Sequence, residues 1–172
     1  MNRTNHRRRL VGGRLLIVSL LLISGVAAAA PAYQMPFPCG QTWRLATWQG
    51  HNPDRAVDMN RDNDFGDAVV ASAGGTVTTR RDLGDTSYGR YVVIDHGNGH
   101  STLYAHLSAF SVSLGQTVNK GQRIGAVGSR GTSSPHLHYE QRVSGSAVSA
   151  RFNGVAMPYY DVVFWTSKNS CG

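Results

Sequence analysis

Short apolar runs alternate with polar positions along most of the chain, in the two-residue period of β-strands. Glycines and asparagines separate these runs at spacings suited to hairpin turns. We therefore predict an all-β, mainly antiparallel domain, built either as a partly open barrel or as a pair of packed sheets. The predicted strands cover residues 68–72, 75–79, 90–95, 101–107, 123–127 and 136–143.

The N-terminal segment has a different composition. Residues 2–14 contain five arginines and no acidic residue, residues 15–26 are an apolar run, and small residues continue through Ala32. This composition is typical of a secretory signal peptide. We predict a signal helix within residues 1–32, a mature domain over 33–172, and a secreted, extracytoplasmic protein. The apolar run is short for a permanent membrane anchor, but retention of the leader as an anchor stays open.

Loss of the leader would change the charge of the chain. The five leader arginines account for most of the formal net charge of +7, so that +2 remains on residues 33–172. Non-specific nucleic-acid binding needs a dense field of lysine and arginine, which this part of the chain lacks. We predict no nucleic-acid partner, no stable membrane insertion after cleavage, and a monomer.

Two cysteines, Cys39 and Cys171, lie near the two ends of the mature domain. In an exported protein, this placement favours a disulfide that joins the termini. A zinc-binding role is the weaker alternative, because the two residues lack the close spacing of structural zinc sites. In a reducing compartment both would be free thiols.

The segment 131–140, Gly-Thr-Ser-Ser-Pro-His-Leu-His-Tyr-Glu, carries the most chemical information. His136 and His138 are two residues apart on a predicted strand, so their side chains point to one face while Leu137 points to the core. Such a pair can divide the work. One imidazole binds a metal, and the other transfers protons.

The order of further motifs resembles a known family. Val57-Asp58-Met59-Asn60, then Tyr-Ala-His106-Leu, then the histidine pair in Ser-Pro-His-Leu-His-Tyr-Glu are similar to the M23 peptidases, the lysostaphin-like zinc endopeptidases of peptidoglycan. The resemblance covers roughly residues 51–140. It implies an all-β domain of the lysostaphin-like type, with a duplicated hybrid motif, that hydrolyses peptide bonds of cell-wall peptidoglycan with one Zn²⁺ per chain.

The resemblance also assigns roles to residues. Asp58 and His138 match metal ligands, and His106 and His136 match catalytic histidines. The family places its first histidine four residues before the aspartate, where this chain has Asp54. We favour His51 as the first ligand, because a second carboxylate would weaken the Lewis acidity of the zinc.

A glutamate and three tyrosines are further candidates for the site. Glu140 is expected either to support an imidazole or to take a direct part in catalysis, and Tyr88, Tyr91 or Tyr104 are expected along a substrate groove. The alternative to an enzyme is a non-catalytic relative that binds peptidoglycan or activates another cell-wall hydrolase.

Overall fold

The computed structural model of the protein describes Met1 and residues 29–171. The predicted signal helix therefore lies almost entirely outside the described residues. Within these residues the fold is all-β, as predicted, and no helix is present that could span a membrane. The strands are β1 (Thr42–Ala46), β2 (Val57–Asn60), β3 (Ala68–Val70), β4 (Gly75–Asp82), β5 (Arg90–Gly97), β6 (His100–Ala105), β7 (Ala109–Phe110), β8 (Thr117–Val118), β9 (Arg123–Ala126), β10 (Leu137–Val143), β11 (Ser146–Val148), β12 (Arg151–Phe152), β13 (Val155–Ala156) and β14 (Val162–Thr166).

The strands form a large sheet, a small sheet and a hairpin. The large sheet has nine strands in the order β14-β1-β2-β10-β6-β5-β4-β8, with β11 beside β10. The small sheet has the order β3-β9-β7, and β12 pairs with β13. All of these pairings are antiparallel. The described strands thus confirm the predicted all-β, antiparallel class, and they form no closed barrel.

One hydrophobic core joins the two sheets. Val69 and Ile124 of the small sheet share a buried cluster with Val92, Met59 and Leu137 of the large sheet. Because strand side chains alternate between faces, this cluster explains the short apolar runs of the sequence. Burying a large aliphatic side chain of this kind contributes about 1.5–3 kcal/mol.

All six predicted segments contain a strand, but their ends differ. Strand β4 continues to Asp82, which pairs with Arg90 of β5, and β5 continues to Gly97, which pairs with His100 of β6. Strand β10 begins at Leu137 rather than at His136, which instead forms an isolated bridge with Gly128. Strands β1, β2 and β14 were not among the predicted segments.

A disulfide joins Cys39 to Cys171, as predicted, so these residues are neither free thiols nor zinc ligands. It lies beyond the end of the β1–β14 pair at which Thr42 faces Thr166. Nearby, the buried Asn169 side chain donates hydrogen bonds to backbone oxygens of Met35 and Ala71. The C-terminal residues 169–171 are therefore bound to residues 35–39 near the start of the predicted mature domain.

The centre of the large sheet determines the position of the candidate site. Strand β10 lies between β2 and β6, so that His138 faces Asp58 on one side and Ala105 on the other. His106 follows directly after β6. Three neighbouring strands thus bring an aspartate and two histidines together at the centre of the sheet.

Candidate metal centre and catalytic site

Three predicted metal ligands converge on one point. His51, Asp58 and His138 each offer a donor atom within 4.8 Å of the others. Oδ1 of Asp58 lies 3.1 Å from Nδ1 of His138 and 3.3 Å from Nε2 of His51. Two imidazole nitrogens and one carboxylate oxygen are a donor set that fits a catalytic zinc ion, which takes three protein ligands and keeps one position open.

His51 reaches this point from the loop after β1. Its Nδ1 lies 3.2 Å from the backbone oxygen of Ala56, and because a carbonyl only accepts, Nδ1 is the donor there. Nε2 therefore faces Asp58 with a free lone pair. The indole of Trp48 stacks on the His51 ring, with 3.9 Å between the ring centroids. The sequence did not predict this stacking of Trp48 on His51, because the conformation of a short loop cannot be read from its residues.

Asp54, the other candidate for the first ligand, points elsewhere. It is exposed, and its Oδ2 accepts a hydrogen bond from the hydroxyl of Tyr160 at 3.2 Å. It is not a member of the group that His51 forms with Asp58 and His138. The geometry therefore favours His51.

His106 and His136 lie beside this group, with their ring centroids 4.7 Å apart. Nε2 of His136 is 3.4 Å from Oδ2 of Asp58, and its Nδ1 donates to the backbone oxygen of Ser134 at 3.0 Å. Nδ1 of His106 donates to the backbone oxygen of Arg130 at 2.8 Å. Both rings therefore present Nε2 to the site, as a proton-transferring pair requires.

His106 has an unusual backbone conformation. Its φ of 62° lies in the left-handed region, which non-glycine residues adopt rarely and often at functional sites. The backbone N–H of His106 donates to the backbone oxygen of Tyr88 at 3.0 Å, which holds this conformation in place. The sequence shows the histidine but not the turn that aims it.

The surroundings of His106 and His138 shift their pKa values in opposite directions. Burial lowers the pKa of His106 to about 4, against the opposing effect of its hydrogen bond to Arg130, so this imidazole is neutral at pH 7. For His138, burial also lowers the pKa, but bonds to Asp58 and Glu140 outweigh burial and raise it. Burial raises the pKa of Asp58, whereas the imidazoles of His138 and His51 beside it outweigh burial and lower it well below its usual range.

These groups open into a cleft of about 520 Å³. Trp48 and Asn52 line one part of it, and Tyr88 and Thr132 line another. The two loops that carry Tyr88 and Thr132 touch each other. A Cβ atom on Gly131, which has a φ of 77°, would collide with the backbone oxygen of Ser87, so only glycine fits there.

Of the three tyrosines expected along a groove, only Tyr88 is among the cleft residues. The prediction for Tyr104 is wrong. This side chain is completely buried, and its hydroxyl accepts a hydrogen bond from the backbone N–H of Ser72 at 2.9 Å. Its ring faces the core because Tyr104 pairs with Tyr139 on β10 and alternates with the residues that face the cleft. Tyr91 packs against the ring of Tyr88 at 5.5 Å.

Comparison with known proteins places these residues in a family context. The model of peptidase family M23 matches residues 53–150, a segment that contains Asp58, His106, His136 and His138 and begins two residues after His51. In the solved structures, a zinc-containing peptidase from Vibrio cholerae is 26% identical with a TM-score of 0.56, over 71% of this chain and 41% of that one.

Three curated relatives have informative names. The DD-carboxypeptidase/endopeptidase Mpg of Neisseria meningitidis is 46% identical over 113 residues, 65% of this chain and 23% of Mpg. The peptidoglycan DD-endopeptidase ShyA of Vibrio cholerae is 37% identical over 70% of this chain and 30% of ShyA. The murein hydrolase activator NlpD of Escherichia coli is 37% identical over 49% of this chain and 22% of NlpD. The matches thus span less than a third of each of these relatives.

Proposed function

The chain belongs to peptidase family M23, and from this premise we propose that it is a zinc metalloendopeptidase that hydrolyses peptide bonds of bacterial peptidoglycan. One observation carries the proposal. A zinc-type donor set, formed by His51, Asp58 and His138, lies beside His106 and His136 at the bottom of a single cleft. A structural metal site would have no use for the two additional histidines.

The chemistry divides between the metal and the protein. When bound by these three ligands, zinc supplies a Lewis acid for the scissile carbonyl and an acidified water. His106 contributes a neutral imidazole whose Nε2 is free to accept a proton, because Arg130 holds its Nδ1 as a donor. His136 lies next to it, and the two rings together provide the proton transfers that hydrolysis requires.

The substrate class follows from the relatives and from the shape of the cleft. One relative is named a DD-carboxypeptidase/endopeptidase and another a peptidoglycan DD-endopeptidase. The cleft is open and bordered by Trp48, Tyr88 and the loop around Gly131, which suits an extended peptide rather than an enclosed small molecule. We propose the peptide part of peptidoglycan as the substrate.

A location outside the cytoplasm belongs to the same proposal. The arginine-rich and apolar leader is typical of an exported protein. The disulfide between Cys39 and Cys171 supports it, because such bonds persist in oxidising compartments. Cell-wall peptidoglycan lies in that compartment.

The second candidate function is a non-catalytic protein that binds peptidoglycan or activates a hydrolase. The similarity to NlpD favours this candidate. The site favours the enzyme, because each of the five expected side chains is present and directed at one cleft. A protein that only binds would not need a pair of histidines whose Nε2 atoms point towards the donor set.

The test measures zinc and cleavage in one preparation. Elemental analysis of the purified protein should give one zinc per chain. Incubation with purified peptidoglycan should release new amino groups, a chelator should abolish this release, and added Zn²⁺ should restore it. A protein without zinc and without chelator-sensitive cleavage would overturn the proposal, and binding to peptidoglycan by such a protein would favour the second candidate.

A further inference from the structure

A completely buried carboxylate lies directly behind the candidate metal site. Glu140 follows His138 by two residues on β10, so both side chains are on the same face of the strand. The Glu140 side chain has no exposed surface. A buried charge of this kind is costly unless it is paired and hydrogen-bonded, so its partners indicate what it does.

Glu140 holds the ring nitrogen of His138 that does not face Asp58. Its Oε1 lies 3.0 Å from Nε2 of His138, while Nδ1 of the same ring lies 3.1 Å from Asp58. A carboxylate only accepts hydrogen bonds, so Nε2 carries the proton. Nδ1 is then the only nitrogen of His138 that can bind a metal.

Two further side chains fix Glu140 itself. Nε of Arg142 donates to its Oε2 at 2.6 Å, and the Tyr88 hydroxyl donates to its Oε1 at 2.8 Å. Nη2 of Arg142 also reaches the Tyr88 hydroxyl at 3.4 Å. The Arg142 guanidinium thus forms an ion pair with this carboxylate, which His138, Arg142 and Tyr88 hold from three sides.

The arrangement decides between the two roles expected for Glu140. It is fully buried and is not among the residues that line the cleft, whereas His138 and Tyr88 are. A group without access to the cleft cannot transfer protons to a substrate. Its charge and its hydrogen bond can act only through His138.

We propose that Glu140 is a positioning residue for the metal ligand His138, held in place by Arg142 and Tyr88. Its negative charge increases the donor strength of the imidazole, and its hydrogen bond fixes both the ring orientation and the tautomer. The proposal rests on the zinc site of the proposed function. Loss of such a partner typically weakens metal binding about 10- to 100-fold.

The test compares zinc affinities by competition with a coloured chelator. Glu140→Gln keeps the size of the side chain but removes its charge, and Arg142→Ala removes its main support. We expect the dissociation constant for zinc to rise about 10- to 100-fold in Glu140→Gln and by a smaller factor in Arg142→Ala. Tyr88→Phe, which removes a single hydroxyl, should have the smallest effect of the three.

A matched control separates this role from general stability. Asp67→Asn breaks another short carboxylate–arginine pair, the 2.7 Å contact with Arg61, without touching a proposed ligand. It should retain wild-type zinc affinity. The visible absorption of the Co²⁺-substituted protein gives a second readout, because a changed imidazole alters the ligand field, whereas a purely structural change leaves the spectrum of the folded fraction unaltered.

The outcomes distinguish this proposal from the proposed function. If the wild type binds zinc and folded Glu140→Gln binds it equally well with an unchanged Co²⁺ spectrum, the role of Glu140 is refuted and the zinc enzyme stands. If the wild type binds no zinc, the proposed function fails and this inference fails with it. Should Glu140→Gln not fold, Arg142→Ala and Tyr88→Phe decide: wild-type zinc affinity in both would refute the inference.

Discussion

His138 and Asp58 face each other directly in the register between β10 and β2, with 3.1 Å between Nδ1 and Oδ1. The backbone pairing of two central strands thus presets two of the three proposed metal ligands before any metal binds. The third ligand, His51, depends on a loop. The two strands therefore fix the positions of Asp58 and His138. The loop holds His51 seven residues before Asp58, where the family has its first histidine four residues before the aspartate.

The first prediction concerns that loop. His51→Ala should weaken zinc binding by more than about 100-fold, because loss of a direct ligand costs more than loss of an outer partner. Asp54→Ala should retain zinc, since Asp54 contacts Tyr160 and not the metal group. Elemental analysis after dialysis measures both. Full zinc content in His51→Ala together with loss in Asp54→Ala would reverse the assignment.

The second prediction concerns the two catalytic histidines. His106→Ala and His136→Ala should each lower kcat by about 10²- to 10⁴-fold, the usual contribution of a positioned acid or base. Zinc content should remain near one per chain, because neither residue belongs to the group of His51, Asp58 and His138. Kinetics on a soluble cell-wall peptide provide the measurement. A variant with unchanged kcat would remove that histidine from the mechanism.

The sequence predicts local patterns well, and the histidine pair shows why. The spacing of His136 and His138 is enough to place both side chains beside Asp58, because alternation along a strand is a local property. The end of the strand is less predictable. His136 leaves the main ladder to bridge Gly128, and no pattern within the segment indicates that partner.

Most features that the sequence did not predict depend on contacts between residues far apart along the chain. Strands β1 and β14 pair although Trp43 and Trp165 are more than 120 residues apart, and neither segment was predicted as a strand. The same applies to Glu140, whose partner Tyr88 is 52 residues away. The sequence alone does not show that the Glu140 side chain is buried and outside the cleft, because residues far along the chain cover it.

The third prediction tests the corrected position of Tyr104. Its hydroxyl accepts from the N–H of Ser72 and from the hydroxyl of Thr102, so Tyr104→Phe leaves two buried donors without this acceptor. The free energy of unfolding should fall by about 1–3 kcal/mol. The kcat of the enzyme should stay at the wild-type value. A large loss of kcat at unchanged stability would return Tyr104 to the substrate groove.

The fourth prediction concerns the bond between Cys39 and Cys171, which are 132 residues apart. Because a cross-link over so long a loop strongly restricts the unfolded chain, the double variant Cys39→Ser/Cys171→Ser should lose about 2–5 kcal/mol of unfolding free energy. Denaturant titrations provide the measurement. Wild-type protein treated with a reducing agent is the control, and it should unfold at the same denaturant concentration as the variant.

The double variant Cys39→Ser/Cys171→Ser should lose stability but keep its catalytic activity. The disulfide lies beyond Thr42 at the start of β1, whereas the other end of that strand, at Ala46, pairs with Asp58. Four residues of strand, about 13 Å, separate the two ends. The folded variant should therefore keep its zinc and its kcat. A fall in zinc affinity together with stability would contradict this prediction. It would show that the disulfide also influences the geometry of the metal site through β1.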